Sequence, residues 1–362
     1  MTTVPFDDDA FRQRSGPSDY RLTEISKRPS PVQRAINVWN YRELLGNLVR
    51  KELKVKYKNS VLGFVWTLLN PMLYLVVFSV VFTVVLKVQV PDYAIFFLSG
   101  LLAWNFFATA LSAGTGSIVG NSQLVQKVWF PREILPLASM GAALVHFFLQ
   151  MLVLAGAMAV FGRSPNFDYF PALLLAMIAL LILCAALSIA LSAINVYLRD
   201  TEHLLELVLL AWFWLSAIVY PYAQLASEVD RKFGVRWEWI ACLNPVIPIV
   251  NTFQKALYNP SSPFGWYTNL PTDPAGWKTI ANEKVLSHHK MVIKQRIVLL
   301  QHLQRQQLPT IIKDQATPAI SMAHTQGWYI THLVWVGGFS VLLLFGALWL
   351  FGRLEDNMAE EI

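Results

Sequence analysis

The sequence predicts an all-α integral membrane protein with six transmembrane helices, and three observations support this fold class. Of the 362 residues, 55% are hydrophobic and only 14% are charged, whereas soluble domains contain about 25% charged residues. The mean hydropathy is +0.44. Six stretches are long and apolar enough to cross a hydrocarbon core of about 30 Å as helices. This composition excludes a soluble enzyme, a disordered chain and a fibrous protein.

Ionisable residues are rare in the predicted spans; they include His146 in the third span and Glu206 near the start of the fifth. The spans cover 61–86, 94–119, 134–161, 170–196, 204–222 and 328–351, so five lie within 61–222 and the sixth within 327–352. A single histidine on an apolar helix most often forms an interhelical hydrogen bond. We expect that role for His146.

Lysine and arginine are unevenly distributed, and their positions predict the orientation. Residues 1–60 contain 12 of the 29 basic residues, and the loops that follow spans two and four contain Lys127, Arg132 and Arg199. Because basic loops stay in the cytoplasm, both termini are expected to be cytoplasmic. The net charge of +6 follows from this orientation and does not indicate nucleic-acid binding. No cleavable signal peptide is expected, since the first 60 residues are polar and charged.

The N-terminal region divides into a mobile tail over 1–36 and an amphipathic helix over 37–60. In this helix Tyr41, Leu44, Leu48 and Val55 recur at helical spacing among basic residues. This pattern predicts a helix in the cytoplasmic headgroup layer. A helix packed on a soluble partner would have the same pattern.

The segments around the last span are expected to differ in character. Residues 223–260 are too hydrophobic for a free loop and too interrupted by proline for a span, which favours short re-entrant helices at the outer face. Residues 261–326 are more polar and predict an extracytoplasmic insertion. Residues 353–362 form a cytoplasmic tail.

The sequence contains no pattern typical of catalysis or metal binding. It has no G-x-x-x-x-G-K-[ST], H-E-x-x-H or G-x-S-x-G motif, and only two cysteines, so we assign neither catalytic nor metal-binding residues. A transporter without its own nucleotide site needs a partner that binds ATP. A membrane glycosyltransferase would need paired acidic residues at a membrane face, and Asp200 with Glu202 is too small a set.

The short loop between spans two and three, 121–133, is the candidate for contact with such a partner. Its centre combines three apolar residues that we expect to be exposed with flanking charges and a proline. These residues are Lys127, Val128, Trp129, Phe130, Pro131, Arg132 and Glu133. An apolar group ringed by charges is typical of an interface hot spot. A headgroup anchor would also use Trp and Lys, and composition does not separate the two.

Five sequence blocks resemble one family, the Wzm-like permeases of ABC-type polysaccharide exporters, which move O-antigen, teichoic acid or cell-wall galactan. The blocks are YKNSVLGFVWTLLNPML at 57–73, LVQKVWFPREILPLA at 124–138, VYLRDTEHL at 196–204, WFWLSAIVYP at 212–221 and NPVIPIV at 244–250. They occur in the family's order. The insertion at 261–326 is longer than in most relatives, and partly for this reason the chain resembles the actinobacterial galactan exporters of this family.

The resemblance implies a role for each matching segment. Residues 37–60 would be the interface helix, 121–133 the coupling helix and 223–260 the outer gate helices. Arg199 and Asp200 would close the cytoplasmic end of the fourth span as a charge pair. Two copies would form a channel in the bacterial inner membrane and bind two ATP-binding cassette subunits, which would hold ATP and Mg²⁺. The cargo would be a lipid-linked polysaccharide, and a drug or small-lipid exporter is the alternative.

A polysaccharide path would need aromatic surfaces and a basic entrance. The candidate path residues are aromatic side chains of spans one, two and five: Trp66, Tyr74, Phe78, Trp104, Phe106, Trp212, Trp214 and Tyr220. Membrane-interface belts also use such residues. Lys54, Lys56 and Lys58 would meet a polyprenyl diphosphate head at the cytoplasmic entrance, although attraction to anionic lipids accounts for them equally well.

Overall fold

The computed structural model describes residues 29–58, 65–85, 93–220, 222, 243–258, 326–355 and 358–361. All regular elements in these ranges are helices. The helices are α1 (Pro31–Asn40), α2 (Arg42–Tyr57), α3 (Val65–Ser79), α4 (Tyr93–Thr115), α5 (Ser117–Gly120), α6 (Ser122–Lys127), α7 (Ile134–Val160), α8 (Phe170–Tyr197), α9 (Thr201–Leu215), α10 (Val246–Phe253), α11 (Gln326–Leu354) and α12 (Met358–Glu361). Turns of π-helix extend α3 over Val80–Val85 and α10 over Gln254–Tyr258, and a 3₁₀ turn, Phe167–Tyr169, precedes α8.

Five of these helical segments are long and apolar enough to cross a membrane within the described ranges. They are Val65–Phe82, Tyr93–Thr115, Ile134–Val160, Phe167–Tyr197 and Gln326–Leu354. They match the predicted spans one to four and six. The all-α membrane fold predicted from composition is therefore confirmed.

The predicted fifth span is not one continuous helix. Its helix, α9, has 15 residues, or about 22 Å at the usual rise, and ends at Leu215. Ala217 then has a φ of 52°, a left-handed conformation that stops a helix. The Asn244 side chain donates hydrogen bonds to the Leu215 carbonyl (3.2 Å) and to the Ser216 hydroxyl (3.1 Å), and it accepts one from Trp212 Nε1 (2.8 Å).

The N-terminal amphipathic region is also longer and more divided than predicted. Helix begins at Pro31, not at residue 37, because the Ser30 hydroxyl accepts a hydrogen bond from the Gln33 backbone N–H (3.3 Å) and Pro31 suits the first helical position. A turn at Tyr41 separates α1 from α2. Residues 31–36, predicted as part of a mobile tail, are therefore helical.

The core of the bundle is formed by α4, which is buried along most of its length and packs on α7 and α8. Aromatic side chains fill its centre, among them Phe97, Phe107, Phe147 and Phe253. The last helix, α11, packs along α8. By contrast, α3 and α9 leave most of their side chains on the outside of the protomer.

Gly114 allows α4 and α8 to approach closely. A Cβ atom at this position would lie 2.6 Å from the Cβ of Ser188. The Ser188 hydroxyl donates a hydrogen bond to the Ala110 carbonyl (3.1 Å) on the same helix as Gly114. Small residues at a helix crossing are a common device of membrane bundles.

We expect Gly114→Ala to lower the free energy of unfolding by about 1–3 kcal/mol, the usual cost of overpacking. Unfolding by SDS in mixed micelles would measure the change. Gly156→Ala is the matched control, because no atom lies within 4 Å of the corresponding Cβ. Adding Ser188→Gly should restore part of the lost stability. Equal stability of the Gly114→Ala and Gly156→Ala variants would contradict the close approach.

Several predicted elements lie outside the described residues. These are residues 1–28 of the tail, residues 223–242 and 259–260 of the outer gate, and residues 261–325 of the insertion. The described part of the gate region, α10 with its π-helical extension, is almost entirely buried. There the Gln254 amide donates a hydrogen bond to the Ile218 carbonyl (3.3 Å), and the Tyr93 hydroxyl donates one to the Val219 carbonyl.

Candidate functional site

The candidate site is at the end of the bundle where α1, α2, the 121–133 segment and the C-terminal end of α11 meet. Basic residues from several of these elements lie there. Lys51 of α2 donates a hydrogen bond to the side chain of Asn121 (2.6 Å), and Arg132 donates one to the Glu355 carbonyl (3.0 Å). We refer to this as the basic end of the bundle.

The 121–133 segment is only partly helical. Helix α6 ends at Lys127, and Val128 is already extended. The predicted coupling helix is therefore a single short helix followed by an irregular stretch that leads to α7. Its backbone turns back at Pro131, whose carbonyl accepts a hydrogen bond from the Ile134 N–H (3.2 Å).

The three consecutive apolar residues of this segment do not point the same way. Trp129 is 86% exposed and Val128 is also exposed. Phe130, predicted to be exposed with them, is only 5% exposed and packs in a cluster with Phe351 and Met358. The prediction for Phe130 was wrong because its neighbours come from the distant C-terminal end of the chain.

Glu133 was predicted as part of a charged ring on the surface, but its side chain is only 2% exposed. It accepts a hydrogen bond from Arg34, a residue of the predicted mobile tail. Arg34 also forms an ion pair with Glu355 (2.7 Å). The Ser30–Pro31 helix start was the sequence signal that could have placed Arg34 on a helix.

The buried environment affects the protonation of this pair. Burial raises the pKa of the Glu133 carboxyl, against the hydrogen bond from Arg34. Burial also disfavours the charged Arg34 guanidinium, but its hydrogen bonds to Glu133 and Glu355 outweigh that effect and raise the Arg34 pKa. Arg34 therefore stays charged, whereas burial disfavours the charged form of the Glu133 carboxyl.

Arg199 and Asp200 are at the same end but do not form the predicted pair. Both are exposed, and no ion pair joins them in the part of the chain that the structure describes. The contact that holds this turn is a different one. Asn195 donates hydrogen bonds to the Thr115 carbonyl (3.2 Å) and to the Glu202 carboxylate (2.8 Å), which connects the ends of α4 and α8 with the start of α9.

His146 forms the expected interhelical hydrogen bond, with a tyrosine of the amphipathic helix as its partner. The Tyr57 hydroxyl lies 2.9 Å from His146 Nδ1 and 2.5 Å from the Thr67 hydroxyl. The three side chains join the end of α2 to α3 and α7. Lys54, Lys56 and Lys58 are exposed beside this junction, as an entrance position requires.

The predicted path aromatics fall into three groups by their exposure. Trp66 and Trp214 are exposed on α3 and α9, and the half-buried residues of the set are Tyr74, Phe78, Trp212 and Tyr220. Trp104 and Phe106 are buried instead. Trp104 contacts Phe213 and Phe106 contacts Phe147, with ring centroids 5.8 and 5.7 Å apart. Within the protomer these two therefore belong to the core of the bundle.

Comparison with known proteins places the chain in a family of membrane permeases. The family model for ABC-2 type transporters matches residues 43–258. An O-antigen export system permease protein of Myxococcus xanthus is 32% identical over 61% of this chain and 82% of its own length. A protein of the same name from Klebsiella pneumoniae is 29% identical over 60% and 81%, and a polysialic acid transport protein of Escherichia coli is 20% identical over 58% and 79%.

The matched region runs from the start of α2 to the end of the π-helical turn after α10. It includes α2 and the 121–133 segment of the basic end, with the exposed Trp129, and the three helices α3, α4 and α9 that carry candidate path residues. The resemblance to Wzm-like permeases inferred from the five sequence blocks is confirmed. The chain belongs to the ABC-2 type transporter family.

Proposed function

We propose that this chain is the membrane-spanning permease subunit of an ATP-driven exporter, and that its cargo is a polysaccharide linked to polyprenyl diphosphate. The observation that carries the proposal is the exposed Trp129, held out from the bundle by the buried Phe130 and Glu133. A tryptophan side chain that is exposed in the free protein can become buried in a pocket of a partner protein. The names of the relatives supply the class of cargo, O-antigen or polysialic acid.

The proposed partner is a separate subunit that binds and hydrolyses ATP. The chain has no phosphate-binding loop, so the energy for export comes from outside it. Two such subunits, with ATP and Mg²⁺, would dock at the basic ends of two permease copies through Lys127, Val128, Trp129, Arg132 and the nearby turn with Arg199 and Asp200. Closure of the ATP-binding subunits would then push on 121–133.

Side-chain contacts would transmit a movement of 121–133 to the helices of the proposed path. The Asn195 side chain joins the end of α4, just before α5 and α6, to Glu202 at the start of α9. A displacement of the coupling segment would therefore shift α9 relative to the core. We propose that α3 and α9 of two copies line the path, because both helices leave aromatic side chains such as Trp66 and Trp214 exposed.

The entrance would lie at the end of α2, where Lys54, Lys56 and Lys58 are exposed. Cationic groups at headgroup depth attract a diphosphate. The basic end would face the cytoplasm under the positive-inside rule, which places both termini there and the protein in the bacterial inner membrane. Cell-wall galactan is the specific cargo that we propose, from the similarity to actinobacterial exporters.

Depletion of the protein in its host, followed by labelling with sugar precursors, tests the cargo. We expect a polymer on a polyprenyl diphosphate carrier to accumulate and to be protected from probes added outside intact cells. Re-expression of the wild-type chain should clear it, and galactofuranose in the polymer would support galactan.

The other outcomes separate the alternatives. If no lipid-linked glycan accumulates, the polysaccharide proposal is wrong and a drug or small-lipid exporter is favoured. If the lipid-linked polymer shortens or disappears while its precursor accumulates, the chain acts in synthesis, as a membrane glycosyltransferase would.

A further inference from the structure

A buried cluster of charges joins three distant parts of the chain at the basic end. Arg34 lies on α1, Glu133 comes just before α7, and Glu355 follows α11. One nitrogen of the guanidinium, Nη1, donates to Glu133 Oε1 and to Glu355 Oε2. The side chains of Arg34 and Glu133 are 6% and 2% exposed. We call these three residues the charge clamp.

Neighbouring groups restrict the position of the Arg34 side chain. The backbone of Gly352 lies against the guanidinium, since a Cβ at this glycine would be 3.0 Å from Arg34 Nε. Two hydrogen bonds fix the backbone beside Glu355: the Arg132 side chain donates to the Glu355 carbonyl (3.0 Å), and the Tyr197 hydroxyl donates to the Leu354 carbonyl (2.5 Å).

The clamp acts on the stretch that presents Trp129. This stretch is irregular from Val128 to Glu133, so no helical hydrogen bonds fix the direction of Trp129. Its anchors are the buried Phe130 and Glu133, which both follow Trp129 in the chain. Because the exposed Trp129 makes few contacts within the protomer, its position depends on these two anchors.

We propose that Arg34, with Glu133 and Glu355, is a positioning device for Trp129, so that the N-terminal helix α1 and the C-terminal end of α11 are parts of the coupling machinery. The inference rests on the proposed function, in which Trp129 docks the ATP-binding subunit. Arg34 itself touches neither the partner nor the cargo. Removing all the charges of the clamp together should leave the bundle assembled and Trp129 poorly positioned.

Spin-label distances test the positioning without any partner. One label would be placed through Val128→Cys and the other through Leu198→Cys, both at exposed positions, in a background with Cys184→Ala and Cys242→Ser. We expect Arg34→Met to broaden the distance distribution between the labels. Arg42→Met, the same change at an exposed arginine of α2, should leave it narrow.

A variant that removes every charge of the clamp separates positioning from folding. Arg34→Met with Glu133→Gln and Glu355→Gln leaves no buried charge unpaired, so this protein should fold even if Arg34→Met alone does not. We expect its label distances to be as broad as those of Arg34→Met. A narrow distribution in the triple variant would overturn the clamp's positioning role.

Export coupled to ATP hydrolysis gives the second readout, in proteoliposomes with the ATP-binding subunit that co-purifies from native membranes. In the triple variant we expect cargo exported per ATP hydrolysed to fall by about 2- to 30-fold, the range found for residues that transmit coupling. If Trp129→Ala lowers this ratio and the triple variant does not, the clamp proposal is wrong and the proposed function stands. If Trp129→Ala has no effect on the ratio, Trp129 is not the docking residue, and the label distances still decide whether the clamp positions it.

Discussion

Replacing Trp129 with alanine is expected to weaken binding of the ATP-binding subunit by about 30-fold or more, since loss of a hot-spot tryptophan costs about 2 kcal/mol or more. The side chain is 86% exposed in the protomer, so its removal opens no cavity and should not unfold the bundle. The dissociation constant of the purified subunits in nanodiscs would measure the change, and ATP hydrolysis stimulated by the permease should fall with it.

A second exposed tryptophan provides the control. Trp335 is 76% exposed on α11, in the interior of a predicted span, and Trp335→Ala removes the same chemical group without touching the basic end. It should bind the subunit as the wild type does. If Trp129 were a headgroup anchor, both variants would retain wild-type affinity, and the coupling assignment of 121–133 would have to be abandoned.

Phe130→Ala should behave differently from Trp129→Ala. Phe130 is buried with Phe351 and Met358, so truncation would leave a cavity and cost stability as well as coupling. The sequence predicts that Val128, Trp129 and Phe130 are all exposed. In the structure Val128 and Trp129 are exposed and Phe130 is buried.

The long apolar runs made most of the bundle predictable. A run of about 20 apolar residues has few alternatives to a transmembrane helix, and α4, α7, α8 and α11 follow the predicted runs closely. The fifth apolar run does not indicate where its helix ends. Helix α9 ends at Leu215 because the side chain of Asn244, from a later segment, donates to the Leu215 carbonyl and accepts from Trp212 Nε1.

The candidate site was predictable in outline, through the aromatic and charged loop and its family resemblance. Its internal division was not predictable, because burial of Glu133 depends on partners from both ends of the chain, Arg34 and Glu355. Periodicity describes neighbours along one helix. It gives no information about an ion pair between segments that meet only in the folded bundle.

The largest expected loss of stability is that of Arg34→Met. The substitution leaves the Glu133 and Glu355 carboxylates close together, with Glu133 buried and without its cation. Removing one partner of a buried ion pair costs about 3–5 kcal/mol. Unfolding by SDS in mixed micelles would measure the loss, with Arg42→Met as the control, since Arg42 is exposed and should change stability by less than about 0.5 kcal/mol.

Glu133→Gln should be much milder than Arg34→Met, and the pKa of Glu133 gives the reason. Because burial raises this pKa, the folded protein favours the neutral carboxyl more than the unfolded chain does, and a neutral glutamine can still accept the Arg34 hydrogen bond. Arg34 also keeps its ion pair with Glu355. The triple variant, with Arg34→Met, Glu133→Gln and Glu355→Gln, should recover most of the stability that Arg34→Met loses.

The stability of the triple variant relative to Arg34→Met shows whether the charge clamp is needed for folding or positions Trp129. If the triple variant were as unstable as Arg34→Met, the charges would be needed for folding rather than for directing Trp129, and the positioning role would be overturned. A stable triple variant with broad label distances would mean that apolar packing around Phe130 and Phe351 is enough to fold the basic end. The charge clamp would then serve to direct Trp129 towards its partner.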